Sequence, residues 1–380
     1  MSLPIIKTKL VLPKNTANTV IRTRLFNGLT EFANRKLTVI SAGGGWGKSV
    51  LLTSFLESCK TPYVWYSLDH NDKDPVIFLS HIAEGIRSRF GGAGEKTLKA
   101  IESTGEAVSW PFIASTLFNE ILDGLTVRFL LVLDDSHTID DSTPMTEVFN
   151  HILKLSLPNV CLVVSSREKP SVRLEKLRAC GELLELNADD LRFNKQEIRS
   201  LFRTAYNIDL SPHDIEVIEG HTEGWAISLS LTGEALAGSP SEGITAFLSR
   251  LKRSGVSVFH YFDEEIFKGL SHDIRRFLMD TSILNRFNAS VYDFISGKDG
   301  SGSLIETIIK KDLFVIKQAD NWYRYHHLFR GFLDARLKED EDPAYIRGLH
   351  LKAALFFGKT NELDEVIYHS IHAGDYGRAQ

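Results

Sequence analysis

Two sets of residues in this chain are suited to phosphate chemistry. The first is Lys48-Ser49 behind the run Ser41-Ala42-Gly43-Gly44-Gly45-Trp46-Gly47. Consecutive backbone N–H groups from Gly43, Gly44, Gly45, Trp46 and Gly47, with the positive end of the helix that Val50 opens, can wrap a β-phosphate. Lys48 would reach the β and γ oxygens, and the Ser49 hydroxyl would ligate Mg²⁺. Ala42 replaces the first glycine of the usual G-x-x-x-x-G-K-[ST] spacing. The second set is Asp134-Asp135, at the end of the apolar run Phe129-Leu130-Leu131-Val132-Leu133. Behind a phosphate cradle, Asp134 is expected to hold the metal through water, and Asp135 to orient or deprotonate an attacking water. Arg167, at the end of a further apolar run, is a candidate sensor of a γ-phosphate.

These groups need a scaffold that brings them to one edge. Leu37, Val39 and Ile40 mark a buried strand entering the glycine-rich turn, and Val50-Leu51-Leu52 opens the helix after it. Further strands are read at residues 63–68, 128–135, 159–166 and 181–186. Helices are read at residues 76–90, with Asp74 as N-cap, and at 110–122. Strands alternating with helices predict a parallel α/β domain that ends near residue 190. An unbroken apolar strand ending in acid delivers its carboxylates to the carboxyl edge of such a sheet, where ligands bind. Before the first strand, Val20-Ile21-Arg22-Thr23-Arg24-Leu25 leads into a helix with Leu25, Leu29 and Phe32 on one face. This segment could fold over the base of a nucleotide, with Ile21 and Arg22 in contact, or simply cover the sheet.

Asn194-Lys195-Gln196-Glu197 looks at first like the guanine-specifying N-K-x-D, but Asn194 and Glu197 suit a capping box opening a helix. Ser211-Pro212 starts another helix, Gly224-Trp225-Ala226 heads a third, and Gly238-Ser239-Pro240-Ser241 separates two more. From Ser271 the pattern is helices carrying Ile274, Phe277 and Leu278, then Leu304, Ile305, Ile308 and Ile309. A hairpin follows, with Leu313-Phe314-Val315-Ile316, a turn at Asp320-Asn321 and Trp322-Tyr323-Arg324-Tyr325. Helices followed by a hairpin describe a winged helix. The helix after it ends at Asp340-Glu341-Asp342-Pro343. Residues 344–380 hold one helix and part of another, with Gly358 and Gly374 as stops, and could open an α-solenoid. The pattern breaks off at Tyr376-Gly377-Arg378-Ala379-Gln380, so a longer protein is expected. The fold class is therefore α/β. A phosphate-binding parallel sheet at 1–190 is followed by a helical domain at 191–265, a winged helix at 266–343 and the start of a helical array at 344–380.

The composition is that of a globular chain, with 43% hydrophobic and 24% charged residues among 380. A net charge of −5 and a pI near 6.2 argue against a general nucleic-acid-binding surface. Cys59, Cys161 and Cys180 lack paired ligand spacing and read as reduced thiols. No signal peptide is evident, and no run approaches the ~20 apolar residues of a membrane span. A cytoplasmic protein with no membrane partner is expected.

In this order the segments SAGGGWGKS (41–49), WYSLDHNDKDP (65–75), LLVLDDSH (130–137), SSR (165–167), TEGWA (222–226) and RYHHLF (324–329) resemble the MalT-type transcriptional regulators. These form one branch of the STAND class of signal-transduction ATPases. The resemblance covers nearly the whole chain and implies an ATP/ADP switch with Mg²⁺ and slow hydrolysis. It implies a closed form with ADP held between the ATPase and winged-helix domains. It also implies an open, self-oligomerising ATP form favoured by a small-molecule or protein inducer on a C-terminal superhelical region. Promoter DNA would be bound by a LuxR-type helix-turn-helix absent from these residues. A family histidine near the phosphates would fall on His326 or His327, with His326 preferred. Ala226 stands where the family usually has proline. A metabolic P-loop enzyme, such as a small-molecule kinase, is the competing reading, but neither an arginine-rich lid nor an acceptor-site acid is evident. A nucleotide-binding scaffold without hydrolysis is the third.

Overall fold

The computed structural model describes residues 5–14, 19–32, 35–104, 109–155, 158–237, 259, 262–264, 266–311 and 313–375. The chain divides into two compact units. One is Met1–Asp209 together with Trp225–Ile227; the other is Leu210–Gly224 together with Ser228–Gln380.

The first unit is a parallel sheet of five strands, β1 (Leu37–Ser41), β2 (Tyr63–Ser67), β3 (Phe129–Asp134), β4 (Val160–Ser166) and β5 (Leu183–Leu186), in the order β2-β3-β4-β1-β5. Side chains alternate across each strand, so every strand feeds two cores. Phe129, Leu131 and Leu133 of β3 join Val39, Tyr66 and Val164 in one apolar layer. That layer is closed by Phe78 and Ile82 of α3 (Pro75–Phe90), Ile113 and Leu117 of α5 (Trp110–Gly124), and Val148 of α6 (Thr143–Lys154). On the opposite face Leu130, Val132, Cys161 and Val163 meet Leu29 of α1 (Thr23–Phe32) and Leu52, Phe55 and Leu56 of α2 (Lys48–Ser58). β3 is therefore buried on both faces, which is why its sequence is an unbroken apolar run rather than an alternating one.

Register sets the functional edge. Ser41 of β1 pairs with Ser166 of β4, Leu133 of β3 with Val164 of β4, and Ser67 of β2 with Asp134 of β3. The strand ends that lead to the glycine-rich loop, Arg167 and Asp134-Asp135 thus lie side by side, with β4 between β1 and β3.

Several local features fall where their sequence signals lie. Asp74 accepts from the N–H groups of Val76 and Ile77 at the start of α3. Asn194 and Glu197 form a reciprocal capping box on α9 (Lys195–Tyr206), and Ser211 and Asp214 another on α10 (Pro212–Thr222). Helices absent from the sequence reading include α4 (Glu95–Thr104), α6 and α7 (Glu175–Ala179), and those at Ala188–Leu191 and Ala289–Ser296. The first unit also continues past residue 190. A short helix, α8 (Ala188–Leu191), and α9 belong to it, because buried Arg22 donates to the carbonyls of Leu191 and Arg192 and pairs with Glu197.

The second unit holds α10 and most of α11 (Ala226–Ala237), then α12 (His272–Thr281), α13 (Ala289–Ser296) and α14 (Gly302–Lys310). An antiparallel hairpin follows, β6 (Val315–Lys317) with β7 (Tyr323–Tyr325). Phe287 adds a bridge to Tyr323, so a third extended segment lies beside the hairpin. Asp320 and Asn321, at φ 55° and 58°, supply the left-handed turn. The strand expected at residues 313–316 begins two residues later, because Phe314 is at φ 54° and leaves the extended region. An aromatic cluster of Phe262, Phe314, Phe329 and Phe332 fills the core beneath the hairpin. Three helices end the unit: α15 (His327–Asp340), α16 (Pro343–Lys359) and α17 (Leu363–Ala373). Gly358 lies within α16 rather than stopping it; Gly374 is the left-handed cap of α17, as its position suggests. The expected separator at Gly238-Ser239-Pro240-Ser241 and the tail 376–380 lie outside the described residues.

Candidate functional site

The glycine-rich loop runs from β1 into α2. Gly45 and Gly47, at φ 74° and 78°, adopt the left-handed conformation that this turn demands. Gly47 occupies the N-cap position of α2 and offers no side-chain acceptor to the first turn, where the positive end of the helix lies. The ammonium of Lys48 is buried in the loop, 2.5 Å from the carbonyl of Ala42 and 2.9 Å from that of Gly43.

Across the strand ends, the Ser49 hydroxyl donates to Asp134 Oδ2 at 2.8 Å. Asp134 is only 4% exposed, and its other oxygen, Oδ1, has no hydrogen-bond partner among the described residues. Burial, and then the like charge of Asp135, push this carboxyl above its usual range; Ser165, Ser49 and Lys48 pull it the other way. A hard divalent cation fits here. Hydroxyl and carboxylate oxygens are the donors Mg²⁺ prefers, and an orphaned buried carboxylate oxygen is what such an ion would satisfy.

Asp135 stands at φ 59° and ψ 38°, an uncommon backbone for a non-glycine residue, with its side chain half in solvent. His137 Nδ1 lies 3.7 Å from Asp135 Oδ1. Arg167 is half-buried where β4 ends.

The structure thus gathers Lys48, Ser49, Asp134 and Asp135 at one sheet edge. Other expected residues have different surroundings. The Arg22 guanidinium is committed to Leu191, Arg192 and Glu197, and stacks 4.0 Å over the Phe193 ring. Ile21 and Val50 expose their apolar side chains, at 65% and 49%. Trp46 is buried, leaving its backbone to the cradle. In the second unit His326 is buried: its Nε2 lies 3.0 Å from the Thr222 carbonyl, and its Nδ1 accepts from Leu328 N–H as the cap of α15. Arg324 pairs with Glu223 in the same unit. His327 opens α15, and its side chain lies outside the described residues.

Sequence reasoning gave no role to Trp225 and Ile227. Trp225 donates its indole N–H to the Gly44 carbonyl at 3.2 Å, and Ile227 its backbone N–H to the Gly45 carbonyl at 3.1 Å. A Cβ on Gly45 would come within 2.7 Å of Ile227 Cγ2 and 2.9 Å of Trp225 Cζ2. In the sequence Trp225 lies in TEGWA (222–226), one of the segments that carry the family resemblance, which by itself names no partner for the indole.

Comparison with known proteins adds a lineage. Residues 263–345 match the MalT winged helix domain. The HTH-type transcriptional regulator MalT of Yersinia enterocolitica is 30% identical over 98% of this chain and 41% of its own length. The serine/threonine-protein kinase PknK of Mycobacterium tuberculosis is 27% identical over 96% of this chain and 33% of its own. A STAND protein of Pyrococcus horikoshii with a tetratricopeptide repeat sensor aligns at a TM-score of 0.45 and 16% identity, over 98% of this chain and 50% of that one. The chain spans about two fifths of MalT and one third of PknK. Residues 263–345 are thus similar to the MalT winged helix domain, and the chain as a whole resembles the N-terminal part of a MalT-type regulator.

Proposed function

We propose that this chain is the nucleotide-operated switch of a signal-responsive transcriptional regulator, binding ATP or ADP with Mg²⁺ and hydrolysing ATP slowly. The observation that carries the reading is the Ser49–Asp134 pair at 2.8 Å with Asp134 Oδ1 left unsatisfied, beside a loop that holds Lys48 at its centre. Ser49 would ligate the ion and Asp134 would hold it, directly or through water. The bound Mg²⁺ would neutralise charge on the β and γ oxygens. Lys48 would meet the same oxygens, Asp135 would orient or deprotonate the attacking water, and Arg167 would report the γ-phosphate. Ile21 and Val50 offer exposed apolar surface for a base.

In this reading His326 responds to the nucleotide only after its Nε2 releases the Thr222 carbonyl, so the bond seen here belongs to one of two states. An inducer, self-association in the ATP form and promoter DNA would engage further domains of the whole regulator, and we place the protein in the cytoplasm. No described helix is long and apolar enough to cross a membrane.

Titration calorimetry with ATP and ADP, with and without Mg²⁺, tests the reading. Wild type should bind both. Asp135→Asn should bind Mg-ATP as tightly but turn it over at least tenfold more slowly. His326→Ala should weaken ADP more than ATP. A wild-type protein that binds neither nucleotide overturns the proposal. Unchanged turnover in Asp135→Asn would remove Asp135 from the chemistry and favour a non-hydrolysing scaffold.

A further inference from the structure

We propose that Trp225 and Ile227 form a latch that presets the phosphate loop, with Trp225 a positioning residue for a diphosphate-bearing ligand. The inference rests on the nucleotide reading above and adds a determinant that lies outside the loop. Trp225–Ile227 belong to the nucleotide unit, although the chain on both sides of them is assigned to the other.

In a trans peptide the carbonyl of one residue and the N–H of the next point in opposite directions, and no peptide bond among the described residues is cis. The indole N–H holds the Gly44 carbonyl and the Ile227 N–H holds the Gly45 carbonyl. The N–H groups of Gly45 and Trp46 are thereby turned away from residues 225–227. Lys48 holds the two preceding carbonyls, of Ala42 and Gly43, in the same way from within the loop. Four successive carbonyls are thus pinned, two by the catalytic lysine and two by the latch.

The need for a latch lies in composition. Gly43, Gly44, Gly45 and Gly47 are the residues that lose most conformational freedom on ordering, and a loop so rich in them does not hold one set of N–H directions by itself. Fixing those directions before the anion arrives removes an ordering cost from binding. Packing reinforces the bonds. Trp225 is fully buried, and the close approach of its ring and of Ile227 leaves no room for a side chain at Gly45. The latch therefore also explains why position 45 must be glycine, beyond its positive φ.

The test compares wild type with Trp225→Phe, which keeps an aromatic ring and deletes the donor. Both proteins are first shown to unfold at similar temperatures without ligand, and binding of ADP, ATP and inorganic pyrophosphate is then measured with Mg²⁺. Affinity for all three should fall by a common factor of about 5 to 20, because the latch acts on the phosphate loop and not on the base. A general loss of structure would not reproduce a common factor together with an unchanged melting temperature. Trp225→His, which restores a ring N–H, should recover part of the loss. If Trp225→Phe does not fold, Ile227→Ala, which keeps its backbone N–H and removes the side chain over Gly45, should lower pyrophosphate affinity about threefold.

Wild-type binding of ADP combined with unchanged affinity in a folded Trp225→Phe overturns the latch while leaving the nucleotide reading intact. So does a loss confined to ADP and ATP with pyrophosphate unaffected. Failure of wild type to bind any of the three overturns both.

Discussion

Asp134 in the first unit and Asp280 in the second are both buried carboxylates, 4% and 2% exposed, and burial raises the pKa of each. Their surroundings differ. Asp280 carries its own cation: Arg276 Nε lies 3.1 Å from Oδ2, and the Tyr345 hydroxyl bonds to both oxygens at 3.0 and 3.1 Å. Arg276 in turn stacks 4.3 Å over the Tyr345 ring and bonds to Glu341. Asp134 accepts the Ser49 hydroxyl on Oδ2, and its Oδ1 has no hydrogen-bond partner among the described residues. A carboxylate that the fold satisfies is a structural element; one that the fold buries and leaves half-satisfied is held for a ligand. His326 falls with the first kind in the state described here, since both its ring nitrogens are occupied.

The largest expected effect breaks the satisfied member. Asp280→Asn removes the buried one of the two carboxylates paired with Arg276, and removing one partner of a buried pair costs about 3 kcal/mol. Arg276 keeps Glu341 and part of its side chain in solvent, which holds the loss at the low end of the usual range. Denaturant unfolding of the two proteins checks this, and a difference under about 1 kcal/mol would mean that Asp280 is not structural. Next is Lys48→Ala, which should weaken ADP and ATP at least a hundredfold, about 2.7 kcal/mol, while the protein stays folded. Calorimetry on a folded variant with unchanged affinity would end the phosphate-loop assignment.

Asp134→Asn sharpens the comparison from the other side. Without ligand it removes a buried charge that Lys48 and nearby serine hydroxyls offset only in part, since the carboxyl still stands above its usual range, so stability should hold or rise, opposite in sign to Asp280→Asn. With ligand it should abolish the gain in ADP affinity that Mg²⁺ gives the wild type, expected near tenfold or about 1.4 kcal/mol. If Asp134→Asn destabilises the ligand-free protein as much as Asp280→Asn does, the two carboxylates are of one kind and the comparison fails.

How much of this was legible follows from range. The strands, the Lys48–Ser49 and Asp134–Asp135 edges and the reciprocal caps are local signals, readable within a few residues. What escaped was long-range. The start of α4 is capped by Glu120, whose carboxylate accepts from the N–H groups of Lys96 and Thr97 across 24 and 23 residues. The inclusion of α9 in the first unit depends on Arg22 reaching Glu197, 175 residues away. The Trp225–Gly44 bond spans 181 residues. Phe314 escaped for another reason: a bulky residue at φ 54° runs against its own preference, and its carbonyl accepting from His326 N–H records the tertiary fold that holds it there.

The smallest effect concerns a buried polar pair whose worth depends on pH. His350 of α16 and His369 of α17 meet Nδ1 to Nδ1 at 2.8 Å, so one proton serves both nitrogens. His369 is fully buried and stacks on Phe357, and the His372 ring stacks on His350. Burial, with the other histidines adding repulsion, lowers His350 to about 4 and His369 to about 3. Glu365 lies 3.6 Å from His369 Nε2, and Asp334, Lys338 and Arg330 act on His350 from α15. In the unfolded chain both imidazoles take up a proton near pH 6.5. The unfolded state therefore binds more protons at every pH between that value and the folded pKa. Stability is complete above pH 6.5 and declines as pH falls through this window. Between pH 7 and 6 the fully buried His369 alone should remove about 0.7 kcal/mol. Exposed carboxylates titrate mostly below pH 5 and interfere little in that interval. His369→Gln should flatten the slope of unfolding free energy against pH from 7 to 6. A slope that survives the substitution would show that other groups carry it and that the histidine pair is satisfied as Asp280 is.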